Sequence, residues 1–218
     1  MKTRPTLPTL IFLLYISILG CKDTTEKNVP ENFDYGRVEN NTYINEFFDL
    51  KIPVNPNWYL LDSEQMDRIN EMGAQIVGGD NQELTSSIKA SQVNTASLLM
   101  LYRHELGANV PYNHSIIIAA ENIKNFPGVE RGTEYLREAL TLIKQSDIDI
   151  RLLESKTEQT ISGVDFDAMT IAMNFPETQI FQDYLCIIKN GFALSFALSY
   201  VNDTQKEELY AVLNAMEF

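Results

Sequence analysis

The chain has 218 residues and carries 30 acidic against 17 basic side chains, a net charge of −13. A surface that acidic disfavours nucleic acid and anionic lipid, both of which call for stripes of Lys and Arg. The length allows one well-cored domain and gives little room for a second.

The first twenty residues carry an address. Lys2 and Arg4 precede an apolar run from Leu10 to Leu19, much shorter than the roughly 20 apolar residues a membrane-spanning helix needs. A basic start, a short apolar centre and a small residue before a break are the parts of a secretory signal peptide. The run ends in Ile18-Leu19-Gly20-Cys21, which resembles the lipobox of bacterial lipoproteins. That resemblance implies cleavage ahead of Cys21 and acylation of its thiol, with fatty chains such as palmitate. Several such chains, at about 0.8 kcal/mol per buried CH2, anchor a protein stably. Cleavage would also remove Lys2 and Arg4 and no acid, deepening the charge from −13 to −15.

Residues 21–41 are polar, with one Pro and few apolar side chains. This composition reads as a flexible tether after the lipidated Cys21. Lys22 and Asp23 just after the cysteine resemble the pattern some Gram-negative lipoproteins use to reach the cell surface, which implies the outer membrane.

The domain is expected over 42–218. Tyr43, Phe47, Phe48, Leu50 and Ile52 predict two short strands ended by Pro53 and Pro56. Asp62 is placed to cap a helix in which Met66, Ile69, Gly73 and Ile76 form one stripe, stopped by Gly78-Gly79. Asn81 is placed to cap a second helix carrying Leu84 and Ile88. Residues 97–106 and 114–122 are rich in β-formers and predict an antiparallel hairpin with a long loop. A helix with Thr133 as cap follows, with Leu136, Leu140 and Ile143 on one face. Strands are predicted over 150–160, 164–174, 180–189 and 191–200. In the last, Phe192, Leu194, Phe196, Leu198 and Tyr200 alternate with Ala193, Ser195, Ala197 and Ser199, the period of two that defines a strand. Asn190-Gly191 is a tight-turn signal. Thr204 and Glu207 have capping-box spacing, ahead of an apolar stripe of Leu209, Val212, Leu213 and Met216. Strands in meanders with helices before, between and after them predict an α+β fold. Its core is a largely antiparallel sheet packed between helices, an α/β/α sandwich.

Tyr43, Asn45, Phe48, Leu50, Ile52, Pro53 and Trp58 resemble the opening of the PsbP-like domain family, which includes DcrB-type bacterial lipoproteins. The closing strand, turn and helix from Gly191 onward resemble that family's end. The resemblance implies an antiparallel sheet between helices. Its motifs are structural, so it brings no catalytic set.

Residue types that carry chemistry are few. Cys186 is the only cysteine after Cys21, and in an apolar β-like run it reads as a small buried hydrophobe. Trp58 reads as a core residue where strand meets helix, against the alternative of a ligand cage. His104 and His114 fall near opposite each other across the expected hairpin, with Glu105 or Glu121 as a further ligand, which is short of a full zinc set. Ser86 and Lys89 copy the Ser-x-x-Lys spacing of serine acyltransferases, but the companion elements are missing. Asp147/Asp149 and Asp165/Asp167 are carboxylate pairs without a calcium loop and read as solvated loop ends.

The sequence thus points to a lipid-anchored envelope protein, not an enzyme, without cofactor, that binds or positions another envelope protein. The rival is a small-molecule or lipid-handling protein, or a hydrolase acting on an envelope substrate, with a pocket that gathers His104, His114 or the aspartates.

Overall fold

The computed structural model describes residues 29–218 except 31 and 125. The leader and Cys21 lie outside the described residues. Three short strands, β1 (Arg37–Glu39), β2 (Thr42–Asn45) and β3 (Leu50–Pro53), form an antiparallel meander. Strand β4 (Tyr59–Leu60) leads into α1 (Ser63–Gly78) and α2 (Gln82–Val93). Then come β5 (Thr95–Tyr102), β6 (Ser115–Asn122) and α3 (Gly132–Ile143). The chain continues through β7 (Asp149–Ile161), β8 (Val164–Asn174), β9 (Gln179–Lys189) and β10 (Phe192–Tyr200) and closes with α4 (Asp203–Asn214). The large sheet has seven strands in the order β4-β5-β6-β10-β9-β8-β7, every neighbour antiparallel. The fold is α+β, as the alternation of strand and helix patterns predicts.

The period-two pattern of β10 sorts the sheet into two faces. Phe196 pairs with Ile118 of β6 and Leu185 of β9, and these side chains join the main core with Phe166 and Leu198. That face is closed by Leu209 and Leu213 of α4, by Leu50 and Ile52 of β3 and by Phe48 of the turn before it, all fully buried. On the other face Ala193 pairs with Ile188 and Glu121, and lies in a second cluster with Cys186, Met169 and Ile171. Leu136 and Leu140 of α3 cover this cluster. Helices α1 and α2 share the face, since Asn70 Nδ2 donates to Ser97 Oγ at 2.9 Å and Ser91 Oγ to Glu121 Oε1 at 2.8 Å. Helix α3 starts close against β9: a methyl on Gly132 would come 2.5 Å from the Cys186 carbonyl, a separation real side chains do not adopt.

Most local signals act where the sequence places them. Asp62 caps α1, accepting from the Gln65 amide at 2.8 Å, while Gln65 returns a bond to the Asp62 amide. Asn81 caps α2 through the Leu84 amide at 3.0 Å. Asn190 and Gly191 take positive φ, 53° and 80°, in the β9–β10 turn, the geometry that Asn-Gly supplies in tight hairpins.

Four expectations are corrected. The folded body starts ahead of Thr42: Phe33 is buried, its ring 4.9 Å from Phe47 and 5.1 Å from Phe192, and β1 pairs with β2. The hairpin between them turns at Asn40 and Asn41, both at positive φ. Polar asparagines that read as tether are here the residues that tolerate a left-handed turn. Tyr43 and Asn45 hold this segment, Tyr43 Oη donating to the Tyr35 carbonyl at 2.9 Å and Asn45 Nδ2 to the Asp34 carbonyl at 2.8 Å.

The second correction is in α1, which buries Ala74 and Gly78 rather than the Gly73–Ile76 end of the expected stripe; Ile76 is 59% exposed. Small residues at the contact let α1 lie close to α2 with little apolar burial. Third, α3 begins at Gly132 with Arg131 at its cap position. Thr133 instead gives its backbone amide to Asp167 Oδ2 at 3.0 Å, and its hydroxyl is buried without a partner. Fourth, α4 is capped two residues early. Asn202 Oδ1 accepts from the Gln205 amide at 3.0 Å, and Gln205 Oε1 from the Val201 amide at 2.9 Å. Asn202/Gln205 and Thr204/Glu207 both offer the cap spacing, and the short connection from Tyr200 selects the earlier pair.

Candidate functional site

The chemistry-bearing residues singled out from sequence are not gathered into one pocket. Cys186 is fully buried under α3, and burial, with a smaller push from the Asp167 charge, raises its thiol far above the ordinary range. It is an inert hydrophobe, as expected from its setting. Ser86 gives its hydroxyl to the Gln82 carbonyl one turn back at 2.8 Å, and both Ser86 and Lys89 are exposed on α2. Asp147, Asp149 and Asp165 are exposed. Asp149 accepts from Asn174 at 2.7 Å and Asp165 from Thr160 at 2.6 Å.

The two histidines are offset by one residue. The Arg103 amide donates to the His114 carbonyl at 3.0 Å, and the His104 amide to Asn113 Oδ1 at 2.9 Å, so His104 faces Asn113 and stays exposed. His114 is 5% exposed. Its Nε2 lies 3.0 Å from Glu208 Oε2, which also accepts from Arg103 Nε at 3.2 Å. Half-buried Trp58 meets the His114 ring edge-on, centroids 5.7 Å apart. Burial lowers the His114 pKa despite the pull of Glu208, and the bond from His114 lowers the Glu208 carboxyl. Among the described residues no three His, Cys, Asp or Glu side chains come together to hold a metal ion.

Three acids are buried among the described residues, and the sequence reading gave none of them this place. Asp167 of β8, expected at a solvated loop end, lies under α3. It accepts from the Thr133 amide at 3.0 Å and Arg131 Nη2 at 3.5 Å, so it fixes the start of α3.

Asp183 of β9 is 2% exposed and takes four donors. Thr170 Oγ1 and Tyr200 Oη donate to Oδ1 at 2.7 and 3.0 Å; Tyr210 Oη and Lys206 Nζ reach Oδ2 at 2.9 Å each. Two of these donors come from α4. Burial alone would lower the Lys206 pKa, but the bond to Asp183 and its charge carry it upward. A signal for Asp183 was present in the sequence. It alternates in phase with Phe181 and Leu185, an acid in the apolar phase of a strand.

Glu121, at the end of β6, is 8% exposed. Ser91 Oγ of α2 donates to Oε1 at 2.8 Å and Tyr135 Oη of α3 to Oε2 at 2.9 Å. Burial raises the Glu121 pKa, opposed by these two hydrogen bonds. Burial also raises the Tyr135 hydroxyl, and the nearby Glu121 charge adds to it. Above this carboxyl, α2 and α3 part to leave a cleft of about 380 Å³, within the roughly 300–1,000 Å³ of small-molecule sites. Ala90 of α2, Ala139 and Leu142 of α3, and Ile123, Phe126 and Val129 of the connecting loop make its walls apolar.

No helix among the described residues is long and apolar enough to cross a membrane. No protein-family model matches the chain, and no curated protein matches it. Solved structures do. The chain is similar to cyanobacterial PsbP (CyanoP) from Synechocystis sp. PCC 6803, at 12% identity over 81% of this chain and 90% of that one, TM-score 0.47. It is similar to LpqN of Mycobacterium tuberculosis, involved in cell envelope biogenesis, at 12% identity over 77% and 81%, TM-score 0.42. A protein of unknown function from Pseudomonas aeruginosa is 12% identical over 53% of this chain and 78% of that one, TM-score 0.41.

Proposed function

We propose that the chain is a lipid-anchored, non-catalytic binding domain of the cell envelope. In this reading residues 1–20 are removed, Cys21 carries fatty chains in the outer membrane of a Gram-negative bacterium, and the folded body engages another envelope protein. The sequence Ile18-Leu19-Gly20-Cys21 supports the anchor.

Within the domain, one observation carries the non-catalytic reading: each buried acid and the buried histidine is a tie between secondary elements. Asp183 and His114 hold α4 to the sheet, Asp167 holds the start of α3, and Glu121 bridges α2 and α3. A nucleophile requires a base within hydrogen-bond reach and access to substrate. Cys186 is sealed under α3 and Ser86 bonds its own helix.

Two measurements test the proposal. Cys21→Ala should leave an unprocessed or soluble protein; unchanged membrane retention contradicts the anchor. Mild crosslinking in intact membranes should return one envelope protein in stoichiometric amount, and its repeated absence contradicts the partner.

A further inference from the structure

Of the three buried acids, Glu121 alone lacks a cation: Asp183 has Lys206 at 2.9 Å and Asp167 has Arg131 at 3.5 Å, while no ion pair reaches Glu121 among the described residues. Its two oxygens each accept one hydroxyl hydrogen, from Ser91 and Tyr135, which leaves a second lone pair on each. The other charge in the lining of the cleft is also negative: the lining includes Glu138 and no Lys or Arg. Ser91 and Asn94 belong to the C-terminal end of α2, whose last turn carries no basic residue. The apolar walls, Ala90, Ile123, Phe126, Val129, Ala139 and Leu142, suit a hydrocarbon body.

We infer that the cleft between α2 and α3 binds a small apolar molecule carrying one ammonium group, with Glu121 receiving the ammonium and the helices enclosing the body. A neutral ligand of the same shape leaves the buried carboxylate without a counter-charge, and an anionic one adds repulsion. The inference goes beyond the envelope reading and does not depend on Cys21.

Phenethylamine and its neutral isostere 2-phenylethanol separate charge recognition from simple filling of an apolar hollow. At about pH 8, where the amine is protonated and a carboxylate is ionised, the full-length chain should bind the amine at least about tenfold more tightly than the alcohol. Glu121→Gln keeps the size of the side chain and should remove that preference while leaving the alcohol's affinity in place. Ala139→Trp, which fills the cleft from α3 and leaves residue 121 unchanged, should abolish binding of both. Equal affinities for amine and alcohol, a preference that survives Glu121→Gln, binding that survives Ala139→Trp, or no saturable amine binding at millimolar concentration would each overturn the assignment.

Discussion

Asp183 and Glu121 lie on opposite faces of one sheet, Glu121 level with Ala193 near the start of β10 and Asp183 level with Leu198 near its end. Each is an acid in a strand, each is at least nine-tenths buried, and each ties down a helix. They differ in what the covering helix brings. Helix α4 supplies a cation and a phenol to Asp183, whose remaining partners, Thr170 and Tyr200, stand beside it on the sheet. Helices α2 and α3 bring Glu121 only the hydroxyls of Ser91 and Tyr135, and they part above it. A buried carboxylate is tolerated when paired and hydrogen-bonded and is costly when its charge goes unmet. The charge at Asp183 is therefore met within a structural joint, whereas Glu121 keeps its charge without a cation beside an apolar cleft.

That difference can be broken or sharpened by substitution. Asp183→Ala leaves three hydroxyls and Lys206 without their acceptor and should destabilise the domain by about 3–5 kcal/mol in denaturant unfolding. Lys206→Met isolates the charge at Asp183. Because Lys206 is 37% exposed, the loss should be nearer about 2 kcal/mol than the value for a fully buried pair.

Glu121→Gln should behave in the opposite way, stabilising the ligand-free domain by less than about 1 kcal/mol near neutral pH. The sign follows from its pKa, which in the fold lies above the ordinary 4.5. Its contribution is fully present below that value and is lost as pH rises through the raised one. Stability of the parent should thus fall across this window, and Glu121→Gln should flatten the profile. His114 works the other way, since its pKa lies below the ordinary 6.5. Its contribution is present above 6.5 and is lost as pH falls through the lowered value. Ile76→Ala, on the exposed side of α1, should change stability by no more than about 0.5 kcal/mol.

Local chemistry made most of the fold readable in the sequence. The β8–β10 strands, the Asn190-Gly191 turn and the caps at Asp62 and Asn81 depend on neighbours in the chain, and all lie where pattern places them. The face of α1 was not readable, because Ala74 and Gly78 make contact by being small and carry no periodic apolar signal. Phe33 was hidden in a polar stretch whose asparagines serve equally as linker and as turn. The cap of α4 had two candidates with the same spacing, and only the distance from β10 decides between them.

The candidate site was less legible than the fold. Its residues come from β6, α2 and α3, and a carboxyl 30 positions from its serine partner leaves no local spacing to find. Only the phase of Glu121 with Ile117 and Ala119, both in β6, could have placed it on the helix-covered face.

The most direct measurement is a pH titration of the Glu121 carboxyl carbon by NMR, with and without phenethylamine. The account predicts a midpoint above 4.5 in the free protein, moving downward when the amine binds because an ammonium favours the ionised form. A free-state midpoint at 4.5 or below, or one the amine leaves unmoved, would contradict it.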